Sequence, residues 1–181
     1  LNICNAHKNS HIAVFSLNDD YLKFYSDDQK KYSLIIGNPP YIKKNLLTED
    51  QIELCKNIYH KAGIPFNGIK NIWPAFLISS VMNLNDNGIL CLILPAEILQ
   101  VKYSEKIRAY LLSAFERIEI FSFNELIFKR TLQDVIVLIG IKNVSKKQKQ
   151  GVSFYQVETL NDLKSFKFAE KNNNVHRKSL E

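Results

Sequence analysis

The chain has 181 residues, of which 46% are hydrophobic, enough for one domain with a real core or one domain with a tail. No run approaches the roughly 18 uninterrupted apolar residues of a membrane helix, and no basic-plus-apolar signal peptide stands at the start. Lysine and arginine number 24 against 18 acidic residues, a net charge of +6 that suits a nucleic-acid partner.

The three cysteines, Cys4, Cys55 and Cys91, are odd in number and widely spaced, with no C-x-x-C. They read as reduced thiols in a cytoplasmic protein. His7 and His11 stand four apart, but no glutamate lies between them, so no metal site is expected.

In chain order, residues 1–9 read as the end of a helix and residues 11–17, "HIAVFSL", as a short buried strand that "NDD" breaks. Residues 33–37 form a second apolar strand. Thr48 then caps a helix, Gln51 completes a capping box, and the helix runs to about Tyr59. "KAGIPFNGIK" at 61–70 is a loop. A second helix starts near Asn71, tolerates Pro74 in its first turn, and carries Trp73, Phe76, Leu77, Val81 and Leu84 at helical spacing. "NDNG" at 85–88 stops it.

"ILCLIL" at 89–94 lacks polar alternation and reads as a strand buried on both faces. A third helix spans about 104–115, followed by apolar strands at 117–123 and 134–141 and a charged connector at 146–150. "VSFYQV" adds a strand and "LNDLKSF" a short helix. The tail from Lys171 is expected to be mobile, and the closing Leu180-Glu181 has the look of vector-derived residues. Two units follow: a partial domain over 1–160 that carries the strands and helices above, and a short helix with tail over 161–181.

Strands alternating with helices argue for an α/β sheet with helices on both faces. Ligands in such sheets sit at the carboxyl ends of the strands. Two polar features fall there: Asp20 after the first strand, and the corner that closes "LIIGNPPY" at 34–41.

That corner offers specific chemistry. Pro39 and Pro40 have φ fixed near −65° and no N–H, and each holds its predecessor extended. Backbone carbonyls are thus held stiffly. Asn38 adds a side-chain carbonyl acceptor and Tyr41 a flat ring. Two converging acceptors and a stacking face suit a planar exocyclic amine such as adenine N6. Hydrogen bonds from both N–H groups to carbonyls favour a localised lone pair on that nitrogen. Tyr41 would stack on a base extruded from a duplex.

"LIIGNPPY" resembles the catalytic motif of amino-methyltransferases that use S-adenosyl-L-methionine. "NDDYLKF", "NIWPAFLISSVMNLNDNGILCLILPAEIL" and "YSEKIRAYLLSAFERIEIFSFNELIF…DVIVLIGIKN" extend the resemblance, over residues 11–160, to adenine-N6 DNA methyltransferases of restriction–modification systems, in particular the Eco57I-like, type IIG branch. The resemblance implies a Rossmann-like class I methyltransferase sheet closed by an antiparallel hairpin. Nothing before Asp20 resembles the family's glycine-rich cofactor loop, so the first two strands of that sheet are expected to be absent.

By the same resemblance, Asn38 and the Pro39 carbonyl accept the N6 hydrogens, Pro40 stiffens the corner and Tyr41 stacks on a flipped adenine. Asp20 takes the cofactor adenine, with Tyr21 and Leu22 lining that pocket and Asp19 as the rival for Asp20. Phe128 and Lys129 approach the flipped base. Trp73 and Phe76 read as core residues first and ligand contacts second. The implied partner is double-stranded DNA, and an exposed sheet edge would favour self-association. Methylation of a release-factor glutamine or of RNA by the same motif stays open, as does a non-catalytic DNA-binding or assembly module.

Overall fold

The computed structural model describes residues 2–3, 15–16, 18–27, 30–123, 134–144 and 150–158. Strand β1 (Asn2–Ile3) pairs antiparallel with β2 (Phe15–Ser16). The helix end expected over 1–9 is therefore replaced at Asn2–Ile3 by extended backbone, whose ladder partners lie 13 residues or so further on.

Helix α1 (Tyr21–Asp27) follows, an element the apolar periodicity did not announce. Its start has a local cause: Asp20 Oδ1 accepts from Leu22 N at 2.9 Å and Lys23 N at 3.2 Å, satisfying two of the four orphan donors of a helix start. Strand β3 (Tyr32–Gly37) then leads into the proline corner. Helix α2 (Glu49–Lys61) begins at the expected capping box. Thr48 Oγ1 accepts from Gln51 N at 3.2 Å, and Gln51 Oε1 accepts from Thr48 N at 3.1 Å.

Helix α3 (Trp73–Met82) carries Pro74 in its first turn. It ends at Asn83, whose side-chain amide donates to the Ser79 carbonyl at 3.1 Å. Strand β4 (Leu84–Pro95) starts earlier than "NDNG" suggests. Tyr32 stands opposite Leu84 and Leu34 opposite Ile89, so residues 85–88 bulge out of the ladder rather than ending an element. Helix α4 (Glu105–Ala114) and strands β5 (Arg117–Phe123), β6 (Val135–Ile141) and β7 (Gly151–Val157) complete the order.

The five-stranded sheet runs β3-β4-β6-β5-β7. β3 is parallel to β4, β6 is antiparallel to both β4 and β5, and β7 is parallel to β5. The hairpin of β5 and β6 is the antiparallel closure the sequence led one to expect. The helix expected over "LNDLKSF" lies outside the described residues, as do the tail and His7 and His11.

Side chains alternate across the sheet. Leu90, Leu92 and Leu94 of β4, Ile136 and Leu138 of β6 and Ile118 and Ile120 of β5 join one core. Into it all four helices place residues, among them Leu22, Ile58, Trp73, Leu77, Ile107 and Leu111. The alternate residues face the other way. Leu34 and Ile36 of β3 are 53% and 69% exposed, and Ile89, Cys91 and Ile93 of β4 are not fully buried. The expectation of a β4 buried on both faces is thus corrected. Its unbroken apolar run fills one packed face and one that the described helices leave open.

Candidate active site

β3 and β4 run parallel, so Gly37 and Pro95 end at the same rim of the sheet. α3 returns the chain from that rim to the start of β4, which places its first turns at the rim as well. The corner after β3 meets β4 through Tyr41, and the first turn of α3 meets the segment after β4 through Trp73 and Glu97, while the start of α1 packs against α3.

At the corner, Pro39 is buried, Asn38 and Pro40 are exposed and Tyr41 is half-buried. The Tyr41 hydroxyl lies 3.1 Å from Asn38 Oδ1 and 3.0 Å from the Ile93 carbonyl, and donates toward both. One side chain therefore ties the corner to the neighbouring strand and fixes which way the Asn38 amide points. A carbonyl oxygen has two lone pairs, so Asn38 Oδ1 keeps acceptor capacity facing solvent. Burial pushes the Tyr41 phenol up to about 12. It is neutral, and a donor, throughout the ordinary pH range.

Asp20 is exposed and caps α1 through Oδ1, while Asp19 Oδ1 accepts from Asp20 N at 2.8 Å. Both aspartates thus shape the turn, and the second Asp20 oxygen is not used by the cap. The Tyr21 ring stacks on Phe76 with centroids 4.7 Å apart and planes at 11°, and its hydroxyl lies 2.6 Å from Ser80 Oγ. Phe76 is the residue in the first two turns of α3 that is not fully buried. The pair forms a partly exposed aromatic wall beside Asp20. Leu22, in contrast, is only 2% exposed and belongs to the core beneath. Cys55 is buried near Asp20, and burial together with that charge pushes its thiol up to about 12, so it is an inert core residue.

Phe128 and Lys129 lie outside the described residues. Trp73 is fully buried, and its indole Nε1 donates to Glu97 Oε1 at 3.0 Å. Glu97 sits in the short turn Ala96–Leu99 that follows β4, a rim carboxylate the sequence reading passed over. Its signal was positional: an acid two residues beyond a proline that ends a strand pointing at the rim. The Tyr103 hydroxyl also bonds Glu97, and burial, then Glu97, raise its pKa.

Two open cavities frame this geometry. The larger, about 630 Å³, is lined by Phe115, Glu116, Lys142 and Gly151 and lies at the opposite end of the strands from the corner. The other, about 440 Å³, is lined by Lys70, Asn71, Pro74 and Tyr103 and adjoins the rim. Among the described residues no group of three or more histidine, cysteine or acidic side chains could hold a metal ion. No described helix is long and apolar enough to cross a membrane.

A family model described as Eco57I restriction-modification methylase matches residues 2–128. The type II methyltransferase M.AccI of Acinetobacter calcoaceticus is 32% identical over 154 residues, covering 80% of this chain and 26% of the relative. The chain thus spans about a quarter of that relative's length. Among solved structures, DrdV in its DNA complex superposes with a TM-score of 0.61 at 16% identity, covering 82% of this chain and 18% of that one. A Listeria monocytogenes protein described as a class I S-adenosylmethionine-dependent methyltransferase gives 0.55 at 15% identity, covering 75% of this chain and 39% of that one. The fold is accordingly the Rossmann-like α/β fold of class I methyltransferases.

Proposed function

Because the chain belongs to the Eco57I restriction-modification methylase family, we propose that it forms part of a DNA methyltransferase that acts on adenine N6 in a restriction–modification system. The observation that carries the reading is the clamp at the corner: Asn38 Oδ1 held by Tyr41, with Tyr41 anchored on the Ile93 carbonyl. An acceptor fixed at the carboxyl end of a strand matches what an exocyclic amine requires.

The chain's own residues divide the work. Asn38 Oδ1 and the Pro39 carbonyl accept the two hydrogens of N6 and draw its lone pair out of the ring. Pro40 keeps the corner stiff. The Tyr41 ring, immobilised through its hydroxyl, stacks on an adenine flipped out of a duplex. No group with a shifted carboxylate or imidazole is needed, since the amine is activated by hydrogen bonding to its protons. When bound, S-adenosyl-L-methionine supplies a methyl group on a positively charged sulfur.

The residues at the start of α1 and in the first turns of α3 fit the adenosine end of that cofactor. Asp20 presents a carboxylate oxygen that its capping role leaves free, and the Tyr21–Phe76 stack offers a flat, partly exposed surface. Leu22 supports Tyr21 from the core rather than lining a pocket.

Transfer of radiolabelled methyl groups from S-adenosyl-L-methionine tests the reading on duplex DNA, RNA and a glutamine-containing release factor. Label should enter DNA as N6-methyladenine. Asn38→Ala should reduce the rate on the order of 100-fold, the typical loss when one preorganised polar contact is removed from a reacting centre. Label in RNA or release factor but not in DNA would overturn the assignment, as would an Asn38→Ala protein of normal activity.

A further inference from the structure

The 440 Å³ cavity beside the rim is not absorbed by the chemistry above. Its walls come from the loop before α3 and from the segment that leads into α4, and Lys70, Lys102 and Lys106 all line it. All three are exposed, and none is in an ion pair with a described residue. Glu105 is the one acid in the lining. The remaining polar surface comes from neutral groups such as Asn71 and Tyr103.

This cavity is fastened to the corner. Lys44 N donates to the Lys70 carbonyl at 3.0 Å and Ile72 N to the Ile42 carbonyl at 2.9 Å, while Lys43 bridges Asn71. The residues immediately after Tyr41 are thus hydrogen-bonded to the residues that wall the cavity. Lys43 and Lys44 are themselves exposed and continue the positive charge from the cavity back to the catalytic corner.

We infer that this lysine-lined cavity seats the phosphodiester backbone of the DNA strand flanking the target base. The inference rests on the proposed DNA substrate and adds a binding site to it. The chemistry favours backbone over base. Lysine is a flexible point charge suited to phosphate but without a planar fork for reading base edges. Contacts of this kind set position and register without sequence information. An open groove with three lysines against one acid is also suited to a continuous strand, which can enter at one end and leave toward the corner.

The test is fluorescence anisotropy with a labelled 20-base-pair duplex, and with its single strand, between 50 and 200 mM salt. The triple change Lys70→Gln, Lys102→Gln and Lys106→Gln is compared with the unmodified chain. Three lost phosphate contacts should lower the salt slope by about 2.7, so the unmodified chain should lose about 40-fold more affinity over that interval than the variant. Glu105→Gln should act in the opposite direction and tighten binding. The altered side chains are exposed, so melting temperatures should be unchanged. A duplex-only effect assigns the cavity to the backbone of double-stranded DNA, and an equal effect on the single strand assigns it to the extruded strand.

A triple variant with unchanged affinity and slope would overturn the inference and leave the methyl-transfer reading intact. So would an unmodified chain that does not bind the duplex at 50 mM salt. If the slope falls as expected but no methyl group reaches adenine, the groove stands and the proposed reaction fails.

Discussion

Tyr41 carries two duties that its position in the sequence does not separate. In the proposed reaction the ring stacks on the target base; in the structure the hydroxyl holds Asn38 and Ile93. Tyr41→Phe keeps the first duty and removes the second. A neutral hydrogen bond contributes about 1 kcal/mol, so single-turnover methyl transfer should slow roughly five-fold, and Tyr41→Ala should slow it further. A Tyr41→Phe enzyme with the unmodified rate would show that the clamp does not orient Asn38. The pH dependence has a definite sign. The folded phenol titrates at about 12 rather than the ordinary 10.0. Its contribution to stability is complete below pH 10 and is lost as pH rises toward 12, because the unfolded chain ionises first. The rate should therefore show no tyrosine-linked fall between pH 7 and 10. The corner was legible at this scale because proline dictates its own backbone and its predecessor's, needing no tertiary information. The Tyr41 clamp was not, because the Ile93 carbonyl is 52 residues away.

Helix α2 was legible from its capping box alone, whereas α1 was missed. Seven residues give too short a window for a 3.6-residue period, and the signal that remained, Asp20 as an N-cap, was read only as a cofactor contact. The bulge in β4 was equally hidden. "NDNG" has the composition of a turn, and it does leave the ladder, but the strand resumes in the same direction on the far side. One packing constraint between elements can be tested directly. Gly140 of β6 faces the Phe115 ring that follows α4, and a Cβ at 140 would stand 2.7 Å from that ring. Phe115 is itself buried and cannot swing out into solvent. Gly140→Ala should cost about 1–3 kcal/mol, the usual range for overpacking a core. Thermal denaturation should show that loss, and adding Phe115→Leu should recover part of it, since the two residues share one space. Equal losses in the single and double variants would mean that the ring is not the obstacle.

At the scale of the whole molecule, the sheet is asymmetric. The described helices all bury side chains in one core, and β3 has a described partner on one side only. Apolar runs in "LIIG" and "ILCLIL" gave the strands correctly but could not tell a covered face from an open one, because leucine and isoleucine read alike in both. Tyr32–Gly37 contains no lysine, proline or other charge within the strand, the devices that normally protect an edge from pairing. Its open face presents Leu34 and Ile36. A second copy is well suited to the edge, because antiparallel pairing of two β3 edges about a twofold axis closes the ladder and sets Leu34 and Ile36 beside their symmetry mates. Sedimentation velocity should then show the 20.9 kDa chain moving to higher mass as concentration rises. Ile36→Lys should suppress that shift, since a charge on an edge opposes both pairing and burial. It should do so without lowering the melting temperature, because Ile36 is 69% exposed and contributes little to the packed core. A chain that stays monomeric at all concentrations would place the free edge under cover of its own residues. An Ile36→Lys variant that unfolds would show that the open face is packed in solution, and the asymmetry of the sheet would then belong to the described residues alone.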